Sequence, residues 1–397
     1  LRHPSLCVNL QIMANRPIKA LLPAGLEDLL PPQAGQEEAL VRRLSDHFAK
    51  YGYELVKPPL LEFEDGLLEG IGAAVADEIF RVMDPVSHRM MGLRADITPQ
   101  IARIAATRLR DAPRPLRLTY SGEVLRVRGA QLRPQREFRA VGVELIGAAK
   151  AAMADAEVIL LAAEAILDLG IEDLSIDINV PSMARMICRD LRITAKVTED
   201  LLSALNRKNS AILSKLSSEA GPILAGLLEA AGPAQLGITL IGELELVGEA
   251  ALLRQRLVEV VKLVLEKAPS LNVTVDPADS RGFEYHTGIT FTLFARDVRG
   301  ELGTGGRYLS GDDELATGFT LFTDVIMSAV AHPTSGRRIY VPFGVQTEIR
   351  KSLQGSGWIT VNGLVPEDNP TAEALRLECT HVWLVDQIHQ LDLQLSN

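Results

Sequence analysis

The segment LRADITPQIAR places a carboxylate and a hydroxyl where they could bind an ammonium group together. Asp96 and Thr98 lie two residues apart, so an extended backbone would put both side chains on one face. The alternative is that one of them caps a helix that begins at Pro99, a role that suits either residue type. The segment therefore predicts an ammonium site or a helix cap.

Two strand-like segments, 114–128 and 136–147, are joined by Gly, Gln, Arg and Pro and predict an antiparallel hairpin with a basic tip. Period-two alternation places Arg126 and Arg128 on one face of the first strand. Glu144 lies inside the second strand between apolar neighbours, and burying an unpaired carboxylate is costly. Its partner is predicted to be an internal arginine or a bound ligand.

Two glycine-bearing segments add further candidates. In DSRGFEYHTGITF, Arg281 could bind a carboxylate through two parallel N–H groups. Tyr285 and His286 follow it, although such a pair also occurs in cores and on surfaces. GTGGRYLSG, which contains Tyr308, could bind a phosphate or turn a hairpin, and a glycine run alone does not decide between them.

The elements that must position these residues follow from periodicity. Apolar residues at helical spacing predict a helix over 36–51, and an Ala-rich run predicts a second over 148–169, packed behind a sheet. YELVKPPLLEF predicts a strand at a sheet edge or at an interface, because Pro58 and Pro59 cannot donate to a ladder. An alternating segment at 174–180 predicts a further strand.

These elements group into a tail, a core and a small second domain. Residues 1–20 predict a loose tail, with Met13 as a candidate natural start. The core is predicted over 21–331, with a mainly helical insertion near 185–267. Residues 338–397 alternate strand and helix, which predicts a small C-terminal α/β domain.

Composition narrows the class of protein. Hydrophobic residues make up 47% and charged residues 23% of the chain, as in ordinary globular proteins, and a net charge of -10 argues against a nucleic-acid-binding surface. Three scattered cysteines predict neither a disulfide framework nor a metal site, and Cys379 with His381 is interpreted as packing. Neither a membrane span nor a signal peptide is recognised, so a cytoplasmic location is expected.

Taken in order, these segments resemble one family, histidyl-tRNA synthetase and its paralogues. LLPAGLEDLLP resembles the opening segment of the family, LRADITPQIAR resembles its first amino-acid-binding strand, and the hairpin resembles its motif 2. RGFEYHTG resembles the histidine signature R-G-L-D-Y-Y-T-G, and GTGGRY resembles the A-G-G-R-Y-D that follows. The resemblance covers about 21–331 and implies an α+β, class II aminoacyl-tRNA synthetase-like core, an antiparallel sheet flanked by helices.

The resemblance also implies a histidine site. Asp96 and Thr98 would hold the ammonium group, Glu144 would face the imidazole, and Arg281 would hold the carboxylate. His286 stands where the family signature has its second tyrosine. The implied histidine-binding set is Asp96, Thr98, Arg126, Glu144, Arg281, Tyr285, His286 and Tyr308, with no catalytic residue, metal or cofactor.

Several positions depart from the synthetase pattern. Arg128 replaces the glutamate of the motif 2 Arg-x-Glu, and Ala140 replaces a glutamine that helps to hold the amino acid. In motif 3, Asp324 and Val325 replace the glutamate and the arginine, and valine cannot neutralise phosphate charge. The segment after motif 3 is also shorter than an anticodon-binding domain. Loss of synthetase activity and of tRNA binding is therefore expected.

With these departures, the chain resembles the regulatory subunits of ATP phosphoribosyltransferase. The resemblance implies a non-catalytic protein that assembles with the short-form catalytic subunit and binds L-histidine as a regulatory ligand in the first step of histidine biosynthesis. It also implies a dimer, with 56–62 at the interface. Two alternatives stay open, namely a divergent histidyl-tRNA synthetase and another paralogue in translation or amino-acid sensing.

Overall fold

The computed structural model describes residues 22–129, 133–279, 285–311, 314–330 and 337–391. The chain divides into two compact units, a larger one that extends to Val330 and a smaller one formed by the residues after it. Pro31–Gln36 are grouped with the smaller unit.

The strands before residue 331 form two sheets. In chain order they are β1 (Glu54–Leu55), β2 (Leu61–Phe63), β3 (Phe80–Met83), β4 (Met90–Leu93), β5 (Leu116–Leu125), β6 (Glu137–Ile146), β7 (Leu174–Asn179), β8 (Gly232–Pro233), β9 (Asn272–Val275), β10 (Thr290–Ala295), β11 (Gly303–Leu309) and β12 (Leu315–Phe322). The larger sheet has the order β1-β5-β6-β12-β11-β10-β7-β9-β8, and the smaller has the order β2-β4-β3. From β5 to β7 all neighbours in the larger sheet are antiparallel, as the α+β prediction requires.

The helices pack around the larger sheet and continue into a helical region after β7. They are α1 (Gln33–Lys50), α2 (Glu64–Leu67), a 3-10 helix (Gly70–Val75), α3 (Thr98–Thr107), α4 (Ala151–Asp168), α5 (Met183–Asp190), α6 (Ala195–Asn206), α7 (Ser210–Leu216), α8 (Ala220–Glu229), α9 (Ala234–Glu243), α10 (Gly248–Lys267) and α11 (Thr323–Ala329). Most of the buried apolar residues form one large core, and Leu67, Ile79 and Ala95 form a separate small cluster. No helix in the described ranges is long and apolar enough to cross a membrane.

The predicted hairpin is present, but its first strand is shorter than expected. β5 and β6 pair in register from Leu116 opposite Ile146 to Leu125 opposite Glu137. Arg126 and Arg128 therefore follow the strand and do not alternate along it. The backbone leaves the ladder here because the amide of Val127 donates to the carbonyl of Glu78 at 2.8 Å.

The proline-containing segment is divided between two sheets. β1 lies at the edge of the larger sheet, β2 lies at the edge of the smaller one, and the prolines separate them. The carbonyl of Pro58 accepts a hydrogen bond from Arg94 at 3.1 Å, and that of Pro59 accepts one from Gln100 at 2.8 Å. The chain thus passes from the larger to the smaller sheet at the two prolines, and the side chains of Arg94 and Gln100 hold this segment in place.

Helix α4 crosses the back of the larger sheet and is fastened by a buried ion pair. Its alanines permit close packing, and most of its length is buried. Asp155 of α4 accepts two hydrogen bonds from Arg307 of β11, at 2.8 and 3.1 Å, and both side chains are about 2% exposed. The carbonyl of Ala151 accepts a third bond from the same guanidinium at 2.9 Å.

The smaller unit is an α/β sheet with helices on both faces. Its elements are β13 (Arg338–Val341), α12 (Thr347–Gly355), β14 (Ile359–Asn362), α13 (Pro370–Arg376), β15 (His381–Leu384) and β16 (Gln387–Gln390), with the strand order β14-β13-β15-β16. The alternation of strand and helix agrees with the sequence prediction. β16 was not predicted, because all four of its residues are exposed and lack an alternating pattern. Cys379 is buried in one core.

Candidate functional site

A cavity of about 860 Å³ lies in the larger unit against the central strands of its sheet. Its wall includes seven of the eight predicted histidine-binding residues. These are Asp96, Thr98, Arg126, Glu144, Tyr285, His286 and Tyr308. The eighth, Arg281, lies outside the described residues.

Glu144 lies near the C-terminal end of β6, with 1% of its surface exposed, and lines the cavity. Its Oε2 accepts a hydrogen bond from the hydroxyl of Tyr308 at 2.8 Å. Burial raises the pKa of the Glu144 carboxyl to about 8, although hydrogen bonds from Tyr308 and Thr98 oppose that shift. Among the described residues, the hydrogen-bond partner of Glu144 is thus a tyrosine and not the arginine that was one of the two predicted partners. Such a carboxyl is stabilised in its charged form by an incoming cation.

Asp96 and Thr98 do not share an extended strand, because β4 ends at Leu93 and α3 begins at Thr98. Asp96 Oδ1 accepts a hydrogen bond from the Thr98 amide at 3.1 Å, which orients the carboxylate at the helix start. The N-cap residue itself is Ile97, which makes no side-chain cap hydrogen bond, so neither Asp96 nor Thr98 is the predicted N-cap. Both side chains still line the cavity, and the Thr98 hydroxyl lies 3.3 Å from that of Tyr120.

Tyr285 and His286 stack on one another inside the cavity. Their ring centroids are 4.3 Å apart with planes 28° from parallel, and Tyr285 meets Tyr308 edge-on at 6.4 Å. Burial lowers the pKa of His286 to about 3, so its imidazole is neutral at physiological pH. The pair thus forms an uncharged aromatic wall.

Glycines form part of the cavity floor on two neighbouring strands. They are Gly318 of β12 and Gly305 and Gly306 of β11. A Cβ at Gly318 would overlap the carboxylate of Glu144, and one at Gly306 would lie 2.6 Å from His286. The run GTGGRYL is therefore a central strand and not a phosphate loop. Gly311, the last glycine of the segment, follows this strand at the hairpin turn to β12, where the Ser310 amide donates to the carbonyl of Glu314 at 2.8 Å.

Sequence reasoning did not identify Tyr120, which is fully buried beneath the predicted residues. Its hydroxyl lies 2.7 Å from that of Thr320 and connects this cavity-lining residue with Thr98. A signal was available in Gly142, which lies directly opposite Tyr120 in the ladder. A Cβ at Gly142 would lie 2.4 Å from the tyrosine ring, so a glycine inside this strand indicates a large neighbour.

The charge of the cavity is predominantly negative. In the part of its wall that the structure describes, two guanidinium groups, Arg126 and Arg133, face seven carboxyl groups. Arg126 is itself 3.4 Å from Glu78. The carboxyl groups are those of Asp77, Glu78, Asp96, Glu144, Asp177, Asp279 and Glu301. Such a wall favours a cationic ligand over a polyphosphate.

A hairpin that carries a buried glutamate, within a large antiparallel sheet that borders a cavity, is consistent with a class II aminoacyl-tRNA synthetase-like core. The sequence model of the family described as Histidyl-tRNA synthetase matches residues 25–326. A crystal structure from Bacillus halodurans, titled as an ATP phosphoribosyltransferase regulatory subunit/histidyl-tRNA synthetase, shares the fold with a TM-score of 0.77 at 23% identity, over 91% of this chain and 97% of its own.

Two curated relatives have higher identity. The ATP phosphoribosyltransferase regulatory subunit of Rhodospirillum centenum is 49% identical over 94% of this chain and 97% of its own. That of Paramagnetospirillum magneticum is 48% identical over 91% of this chain and 96% of its own. The chain therefore belongs to the family of ATP phosphoribosyltransferase regulatory subunits, within the histidyl-tRNA synthetase-like class.

Proposed function

We propose that this chain is a non-catalytic subunit that binds the short-form catalytic subunit of ATP phosphoribosyltransferase, activates it, and carries histidine feedback on the first step of histidine biosynthesis. The observation that carries this proposal is the acidic cavity around Glu144, in a chain whose curated relatives are named regulatory subunits of that enzyme. The proposal has three parts, namely the ligand, the absence of catalysis and the assembly.

The ligand part rests on chemical complementarity between histidine and one end of the cavity. The ammonium group would lie at Asp96 and Thr98, and the imidazole would lie at the hydrogen-bonded pair of Glu144 and Tyr308. The stacked wall of Tyr285 and His286 offers a neutral aromatic surface to a planar ring. By family resemblance alone, Arg281 would bind the carboxylate.

The absence of catalysis rests on the residues that replace the motif 3 pair. Val325 lines the cavity where a cation would be needed to neutralise developing phosphoryl charge. Burial raises the pKa of Asp324, while the nearby Arg133 opposes that shift. A surplus of carboxyl groups around the same space would repel a triphosphate. These features support the loss of amino-acid activation.

Feedback requires that histidine bind two assembly states with different affinity, because only differential binding shifts an equilibrium. The coupling free energy of such systems is typically about 1–3 kcal/mol, which corresponds to a factor of about 5–150 in affinity. A few charge-assisted hydrogen bonds that form in one state only would be sufficient.

The experiment measures phosphoribosyltransferase activity of the short-form catalytic subunit from the same organism, with and without this chain. We expect this chain to raise the rate, and added L-histidine to reverse the gain. Histidine-dependent exchange between ATP and pyrophosphate, measured on this chain alone, is expected to be absent. An unchanged phosphoribosyltransferase rate would refute the regulatory role, and exchange activity would identify a divergent synthetase.

We further propose self-association through the smaller sheet, β2-β4-β3. One face of this sheet carries Leu61, Phe63 and Val82, all between 36% and 42% exposed. An apolar cluster of this kind is typical of an interface between proteins. It adjoins the predicted interface segment 56–62.

We expect sedimentation equilibrium to give twice the chain mass of 43.1 kDa. Val82→Arg is expected to give the mass of a single chain, because it puts a charge into the apolar cluster. Leu236→Arg is the matched control, since this exposed leucine lies on α9, away from that sheet. A monomeric wild-type chain would exclude the dimer.

A further inference from the structure

Arg133 lies in a corner that two aromatic rings form on the cavity wall. Its guanidinium carbon lies 4.0 Å from the ring centroid of Phe138 and 3.8 Å from that of Phe322. The two rings are 5.8 Å apart with nearly perpendicular planes, so they form two walls of a corner. All three residues line the cavity.

A corner of this shape fits a flat, delocalised group. The guanidinium is planar and stacks on aromatic faces, and it is more weakly hydrated than an ammonium. Planar heterocycles use the same faces, since base stacking on aromatic side chains depends on π surface and tolerates different bases. Arg133 therefore fills a space in which a planar ring would otherwise stack.

Stacking, and not hydrogen bonding, holds the guanidinium in place. Arg133 Nη1 is buried and has no hydrogen-bond partner among the described residues, and the same is true of Asp324 Oδ1. Burial and the nearby charge of Arg126 lower the pKa of Arg133 to about 10, whereas the carboxyl group of Asp324 opposes this shift. The contacts with the rings of Phe138 and Phe322 therefore hold the Arg133 side chain, although its Nη1 donor has no hydrogen-bond partner among the described residues.

We infer that Arg133 determines ligand selectivity, because its guanidinium closes the corner of Phe138 and Phe322 to planar uncharged heterocycles and leaves the cavity to a smaller amino-acid ligand. The inference concerns the part of the cavity that the proposed function leaves empty. It does not require that histidine be the ligand or that the chain regulate an enzyme.

Adenosine is the probe that tests this inference, because it is planar and uncharged and so avoids the general repulsion of anions by the acidic wall. In titration calorimetry we expect no measurable binding of adenosine to the full wild-type chain. We expect Arg133→Ala to bind adenosine at least about fivefold more tightly than the wild-type chain, which is the lower end of the gain from one aromatic stacking contact. Equal adenosine affinities of the two chains would overturn the inference.

Arg136→Ala is the matched control, since this arginine of the same loop lies over Phe80 at 5.0 Å and does not line the cavity. It removes the same charge and is expected to bind no adenosine. Arg133→Ser opens the same corner if the alanine variant does not fold. Saturation-transfer NMR on the wild-type chain gives a second readout, and transfer to the purine protons would also overturn the inference. Histidine titrated into the same samples tests the proposed function separately.

Discussion

Arg307→Ala is expected to lower the free energy of unfolding by about 3–5 kcal/mol, because it leaves the Asp155 carboxylate buried without its cation. Burial already raises the pKa of Asp155, and Arg307 opposes that shift. The variant also removes the bond to the carbonyl of Ala151, so the connection between α4 and β11 is lost. Urea denaturation followed by circular dichroism measures the change.

Arg117→Ala is the matched control, since Arg117 makes the same two-bond contact with Glu157 at 3.0 Å but both side chains are about one-third exposed. Exposed pairs contribute about 0–1 kcal/mol. The double variant Arg307→Met with Asp155→Leu replaces both charges with apolar groups and is expected to recover most of the stability. Equal losses for Arg307→Ala and Arg117→Ala would show that the buried pair has no special role.

Glu144→Gln is expected to weaken histidine binding by about 10- to 150-fold, the loss of one charge-assisted hydrogen bond worth about 1.5–3 kcal/mol. The amide can still accept a hydrogen bond from Tyr308, but it cannot pair with a cationic imidazole. Because burial raises the pKa of Glu144 to about 8, the fold already accommodates a neutral group here. The variant should therefore keep its stability, and calorimetric titration with L-histidine measures the affinity alone.

The control for this prediction is Glu301→Gln, which removes a carboxylate from the cavity wall on the side of Arg133. We expect it to change histidine affinity little, so the effect of Glu144→Gln cannot come from total cavity charge. Arg281→Ala should resemble Glu144→Gln, on the basis of the sequence signature. Unchanged histidine affinity in Glu144→Gln would contradict the histidine site.

The parts of the fold that could be predicted are those with a local pattern. Helix α4 follows from its alanines and from Gly170 after it, and the hairpin of β5 and β6 follows from two apolar runs around a polar loop. The end of β5 could not be predicted, because it depends on the bond between Val127 and the distant Glu78. Exposed β16 has no pattern that its own residues could reveal.

The residues of the candidate site also differ in whether a local sequence pattern could reveal them. Glu144 could be predicted because a carboxylate inside an apolar strand needs a partner, whereas its partner Tyr308 comes from a strand more than a hundred residues later. Arg133 was missed, because its position depends on Phe322 as well as on its own loop. Arg307 was read as part of a glycine-rich motif, and its ion pair with a helix on the far face of the sheet has no local signal.

The glycines in the cavity floor make the pocket sensitive to very small substitutions. The cavity has no side chain at Gly318 or Gly306, and a single added methyl group at Gly318 would collide with Glu144. One nucleotide substitution that converts this glycine to alanine could therefore silence the pocket while the buried ion pair and the smaller unit stay intact. Ligand response and architecture can thus be lost or retained independently during gene duplication.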